Sequence, residues 1–108
     1  MDCLAKLDHL VAALRREPTS DYAPIAEKMM RILVIVAKLE LAGGPRSKYW
    51  SRVVSEAHYI LRGIEAGESV REKPLSGPYN FLLAFLESYV NWKRILLVVK
   101  NHPSTSSG

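Results

Sequence analysis

The sequence predicts an all-α fold, a single-domain bundle of about four helices. Apolar residues recur at helical spacing in four segments, proline or glycine residues separate these segments, and no segment shows a convincing strand pattern. A length of 108 residues suits one domain with a single small core. We therefore expect residues 1–100 to form the bundle and residues 101–108, NHPSTSSG, to form a disordered tail or an expression remnant.

Caps and prolines delimit the first two helices. The first has Asp2 as its N-cap and stops at Glu17-Pro18. Its apolar residues at helical spacing are Leu4, Leu7, Leu10, Val11 and Leu14. The second opens at Ser20-Asp21 and accepts Pro24, because the first turn of a helix needs no internal N–H donor. We expect it to run to Gly43-Gly44-Pro45.

The last two helices follow the same logic. The third starts after Ser47 and ends near Gly67, and the fourth takes Pro78 as its first residue and continues to about Lys100. The runs RILVIV and RILLVV, in the second and fourth helices, also allow a strand interpretation because they are rich in β-branched residues. A helix is favoured, since each run continues a longer helical pattern without a turn signal.

A rotation of about 100° per residue separates two faces of the third helix. The apolar face includes Trp50, which we expect in the core. The opposite face is basic and carries Lys48, Arg52, Ser55, Tyr59 and Arg62. We call Lys48, Arg52, Tyr59 and Arg62 the basic strip.

The second and fourth helices are apolar around most of their circumference. A helix of this kind is central in its bundle or covered by a partner. Either these two helices pack on each other in the middle, flanked by the first and third, or at least one apolar face meets another chain. The sequence leaves both possibilities open.

Composition sets limits on chemistry and location. The net charge of +4 and the pI near 9.4 favour an anionic partner. A lone Cys3 excludes an internal disulfide, and no Cys/His spacing suits a metal, so we expect no cofactor. The N-terminus has no signal-peptide pattern and no apolar run is long enough to span a membrane, which predicts a cytoplasmic protein. The lack of glutamine suggests a thermophilic source.

The stretch RSKYWSR, residues 46–52, puts cations at the start of a helix, where the helix dipole favours anions. A bound phosphate would convert this local mismatch into a site, because free amides, guanidinium groups and the preceding glycine loop would surround one anion. We therefore predict nucleic-acid contacts for five residues: Arg46, Lys48, Arg52, Tyr59 and Arg62. The expected ligand is single-stranded nucleic acid or an RNA–DNA hybrid, bound with little sequence preference.

A catalytic alternative rests on Arg52 and His58. Five residues separate them on one helix, a spacing that resembles the Arg-x(4–6)-His pattern of the HEPN ribonuclease families. The resemblance implies an Arg and His pair acting on an RNA phosphate, typically completed across a dimer. The alternative function is therefore an endoribonuclease.

A broader resemblance covers residues 21–63. The segments DYAPIAEKMMRILVIVA and YWSRVVSEAHYILRG are similar to the small helical subunit of archaeal type I-A CRISPR interference complexes. The resemblance implies a non-enzymatic helical bundle in antiviral defence, packed beside a larger subunit and touching the bound nucleic acid. Our leading hypothesis is thus a small subunit of a nucleoprotein complex. A helical module that only binds proteins or self-assembles, through its second and fourth helices, is the third hypothesis.

Overall fold

The protein forms an all-α bundle, as the sequence predicts. The computed structural model describes residues 2–41 and 48–101. The four helices are α1 (Cys3–Arg16), α2 (Tyr22–Glu40), α3 (Lys48–Glu65) and α4 (Ser76–Asn101). Within these described residues there is no strand, so the runs RILVIV and RILLVV are helical.

Local capping explains where the helices begin and end. Asp2 caps α1, because its Oδ1 accepts a hydrogen bond from the Ala5 amide at 2.7 Å. At the end of α3, Gly67 has a φ of +95° and the amide of Glu68 donates to the carbonyl of Gly63 at 2.9 Å. This is a Schellman motif, which confirms the predicted stop near Gly67.

Two predicted boundaries need comment. The fourth helix begins at Ser76, so the expectation that Pro78 is its first residue is wrong by two positions. Pro78 still lies in the first turn, where the missing N–H donor costs nothing. The second helix ends at Glu40, and the predicted stop at Gly43-Gly44-Pro45 lies outside the described residues. Of the predicted tail 101–108, Asn101 is the last residue of α4, and residues 102–108 lie outside the described part of the chain.

The helices form a closed ring of neighbours. Helix α1 packs against α2 and α4, and α3 also packs against α2 and α4. Helices α2 and α4 therefore do not pack together in the middle, and each helix covers two neighbours instead. The largest fully buried side chains come from all four helices and one connection: Leu7, Val11, Leu14, Ile25, Met29, Ile32, Val36, Ile60, Leu75, Leu82, Leu83 and Leu86.

The connection between α3 and α4 closes one end of the bundle. Val70 and Leu75 from this connection are buried in the core. The amide of Val70 donates to Ser20 Oγ at 2.9 Å, and Arg71 donates to the carbonyl of Glu17. The α3–α4 connection thus lies against the α1–α2 connection and fixes it.

Helix α4 continues past α2 and α3 at the opposite end. The Glu40 side chain, in the last residue of α2, contacts Tyr89 and Lys93 of α4. The ring of Tyr49, near the start of α3, lies 5.1 Å from that of Tyr89. Residues 94–101 of α4 therefore extend beyond the described parts of α2 and α3. None of the described helices combines the length and apolar character that a membrane crossing requires.

Candidate interaction surfaces

The basic strip lies on the exposed side of α3, as the helical rotation predicts. Lys48, Arg52, Tyr59 and Arg62 are all exposed, and the Tyr59 side chain is 49% accessible. With a rise of about 1.5 Å per residue, the strip extends over about 21 Å of the helix. The fifth predicted contact, Arg46, lies outside the described residues.

Arg52 is held by two contacts within the chain. Its Nε is 3.4 Å from Glu56 Oε1, one turn further along α3. Its guanidinium lies 5.0 Å from the centre of the Phe81 ring, which belongs to α4 and is 48% exposed. The basic strip therefore lies beside an aromatic side chain of α4, a contact that helical periodicity alone does not predict.

Tyr49 belongs to an aromatic cluster on the same side of the bundle. Its ring is 5.5 Å from that of Phe85 and 5.1 Å from that of Tyr89. Tyr89 donates a hydrogen bond to Glu40, and burial, followed by this hydrogen bond, raises the pKa of the Tyr89 hydroxyl. Lys93 binds the same carboxylate at 2.8 Å. The cluster thus fixes the end of α2 and the start of α3 against α4.

Trp50 and His58 were also singled out from the sequence, as a core residue and as a candidate catalytic residue. Trp50, expected in the core, is only half-buried and packs against the edge of the core. His58 is exposed on α3, whereas Arg52 makes its contacts with Glu56 and Phe81. No three His, Cys, Asp or Glu side chains among residues 2–41 and 48–101 lie close enough together to hold a metal ion.

A second candidate surface is the end of α4. We call the five consecutive apolar residues Ile95–Val99 the α4 end. Their exposed fractions are 57%, 41%, 48%, 59% and 65% in chain order. Five consecutive residues go more than once around a helix, so this segment is apolar on every side. The apolar character of the run RILLVV is evident from the sequence, whereas its extension past α2 and α3 is not.

The third surface is a groove between α1 and α2, with a volume of about 500 Å³. Leu10, Met30, Val34 and Ile35 provide its apolar walls, and Met30 and Val34 are 56% and 52% exposed. Its rim carries three basic side chains, Lys6, His9 and Arg31. We call it the α1–α2 groove. The sequence predicts that α2 is apolar around most of its circumference, but only the positions of the helices show that its Met30 and Val34 side is uncovered.

Comparison with known proteins provides no family assignment for the chain, since no family model, no curated protein and no solved structure matches it.

Proposed function

We propose that the protein is a structural subunit of a larger assembly, and that it joins this assembly through the α4 end. The observation that supports this proposal is the exposure of Ile95–Val99, apolar on all sides of one helix. Helices with this pattern are normally buried. Contiguous apolar surface on a folded protein typically marks a place where another molecule binds.

The free energy available at this surface is substantial. Full burial of one valine, leucine or isoleucine side chain is worth about 1.5–3 kcal/mol. Completing the burial of five such half-exposed side chains would thus contribute on the order of 5 kcal/mol to association. Such a gain offsets a considerable part of the entropy that two proteins lose when they associate.

Site-specific photo-crosslinking in the cells that express the protein tests this proposal. A photoreactive amino acid replaces Val98 in one variant and Ser88 in a control variant, since both positions are exposed on α4. We expect irradiation to join the chain to a polypeptide from position 98 and not from position 88, with the joined polypeptide identified by mass spectrometry. Equal or absent crosslinking at the two positions would show that the α4 end is not an interface.

A second function, binding to a nucleic-acid backbone, is favoured by the side of the bundle where α3 meets α4. Here the basic strip lies beside the exposed Phe81 ring, and Tyr59 extends the aromatic surface along α3. Cations that track phosphates, interleaved with aromatic rings that stack on bases, are typical of proteins that bind single strands. With this function, the protein would be a subunit of a nucleoprotein complex, as the resemblance to the CRISPR small subunit implies.

Binding of fluorescent single-stranded RNA and DNA across a salt series tests the second function. Replacing Lys48, Arg52 and Arg62 by alanine should weaken binding and reduce the salt slope by about 2, since each phosphate contact to a single strand contributes about 0.7. The control replaces Arg16, Lys38 and Lys73, three exposed cations outside α3 and outside the α1–α2 groove, which removes the same charge. If both variants bind alike, the strip has no specific role.

The same samples test the endoribonuclease alternative. RNA length is checked after incubation with the wild type and with His58→Ala. If the wild type cleaves RNA and the His58→Ala variant, with its helical content retained, does not, the second function would be RNA cleavage and not backbone binding alone. Intact RNA would leave the strip as a binding surface.

A further inference from the structure

We infer that the polypeptide that covers the α4 end is a second copy of this chain, and that the α4 end of one copy occupies the α1–α2 groove of the next. The inference rests on the proposed function, in which the α4 end is an interface. It goes further because it names both the partner and the surface that receives the helix.

The two surfaces are complementary in chemistry and form. The groove lies between two helices and exposes Met30 and Val34, which are apolar and lack a described covering element. The side chains of Ile95, Val98 and Val99 form a ridge at helical spacing, the arrangement by which an amphipathic or apolar helix fills a groove. Met30 adds adaptability, because its unbranched side chain fills irregular gaps.

The two surfaces also carry one pair of opposite charges. Lys6 and Arg31 are the cations that line the groove, and Glu27 is the acid beside it. The last turn of a helix carries partial negative charge, so the C-terminal end of α4 suits a cationic rim better than a helix start does. The one cation in the last turn of α4, Lys100, has Glu27 as a counter-charge beside the groove, since Glu27 lies 3.0 Å from Arg31 and is exposed.

The two surfaces lie on different sides of α1 within one copy. Asp8 of α1 faces α4, where its carboxylate is 3.7 Å from Arg94, whereas Lys6 and His9 line the groove on the side of α2. A contact between two different surfaces can repeat head to tail, close into a ring or be exchanged reciprocally between two copies. In each case the associated fraction should rise with protein concentration.

Sedimentation velocity of the purified chain with two single variants tests the inference. Val98→Lys alters the α4 end and Val34→Lys alters the groove, and both positions are more than half exposed, so the fold should survive. Each buried lysine should weaken association by about tenfold or more. Ser88→Lys is the control for added charge, and Val98→Thr and Val34→Thr replace the lysine variants if circular dichroism shows that those do not fold.

The decisive sample is an equimolar mixture of Val98→Lys and Val34→Lys. Each variant keeps one intact surface, so the mixture should form a dimer that does not grow, while each variant alone stays monomeric. A monomeric wild type, an associating Val34→Lys variant or a monomeric mixture would each overturn the inference. Crosslinking from position 98 to a different polypeptide, with a monomeric wild type, would leave the proposed function standing, whereas no crosslinking from that position would refute both.

Discussion

Arg15 at the end of α1 donates two parallel hydrogen bonds to Glu87 in the middle of α4. Its Nε binds one carboxylate oxygen, and its Nη2 binds the other at 2.8 Å. Both side chains are 39% exposed. The hydrogen bonds from Arg15 lower the pKa of Glu87 below its ordinary value of 4.5, although partial burial acts in the opposite direction. The bidentate geometry fixes the axial position of α1 against α4.

Glu87→Gln should therefore destabilise the protein by about 0.5–1 kcal/mol at pH 7, a small value because solvent screens the pair. The folded-state pKa is lowered, so the contribution is present above pH 4.5 and is lost as the pH falls through the lowered pKa. Urea unfolding between pH 2 and 7 should show that the difference in free energy of unfolding between the wild type and Glu87→Gln becomes smaller in acid. Glu27→Gln, which removes a more exposed pair within one helix, should cost less.

Tyr79 offers a test at alkaline pH. Its hydroxyl donates to the carbonyl of Leu14 at 2.9 Å, and burial, with a smaller contribution from Glu17, raises its pKa to about 12. Tyr79→Phe should cost about 1 kcal/mol at neutral pH, the usual net value of one hydrogen bond. The stability from the raised pKa is complete below pH 10 and is lost as the pH rises through 12.

Unfolding measured from pH 8 to 12.5 should thus show a smaller alkaline loss for Tyr79→Phe than for the wild type. A parallel absorbance titration of the tyrosines should lose one late-titrating hydroxyl in the variant. Identical alkaline profiles would show that the Tyr79 hydroxyl is not buried in the folded protein.

Two glycines of the chain should respond differently to alanine. A Cβ at Gly63 would lie 2.6 Å from Leu75 Cδ2, and Leu75 is buried, so its side chain has little room to move. Gly63→Ala should destabilise the protein by about 1–3 kcal/mol, despite the better helix propensity of alanine. A Cβ at Gly77 meets nothing within 4 Å apart from its chain neighbours, but Gly77 precedes Pro78, and a Cβ before proline is disfavoured in the helical conformation. Gly77→Ala should therefore change the free energy of unfolding by only about 0.5 kcal/mol or less.

Thermal and urea unfolding of the two alanine variants, each compared with the wild type, measure the change in the free energy of unfolding at each glycine. Gly63→Ser, with a similar Cβ, should repeat the loss seen for Gly63→Ala. A gain in stability at Gly63 would mean that Leu75 does not close this side of α3.

The two halves of α4 should differ in their effect on stability. Leu86 is fully buried and Leu97 is 48% exposed on the same helix. Leu86→Ala should cost about 2–5 kcal/mol, because it leaves a cavity in the core. Leu97→Ala should change the free energy of unfolding of the monomer by about 0.5 kcal/mol or less.

Urea unfolding at a protein concentration low enough to keep the chain monomeric compares the two leucine variants. Repeating the measurement at high concentration should reveal an added cost for Leu97→Ala, since association stabilises the folded chain by mass action. A loss at Leu97 as large as that at Leu86 would place the α4 end in the monomer core.

Much of the fold could be predicted because its determinants are local. Helical spacing, the Asp2 cap and the glycine stop after α3 depend on residues within a few positions of one another. The exposed face of α3 was also predictable, because a constant rotation per residue decides which side chains share a side. The same argument put Arg52 and Tyr59 on one face, but it did not reveal that Phe81 of α4 lies against Arg52.

The sequence by itself thus determined the four helices, their polar faces and the basic strip on α3. Only the tertiary structure decided which apolar faces are covered. Met29 and Met30 are neighbours in the same apolar helix, yet one is fully buried and the other is 56% exposed. Likewise Leu86 is buried and Leu97 is exposed on the same helix. The reason is that the end of α2 and the start of α3 do not reach as far along the bundle as the last turns of α4. Burial depends on where distant helices start, stop and pack, and no local pattern carries that information.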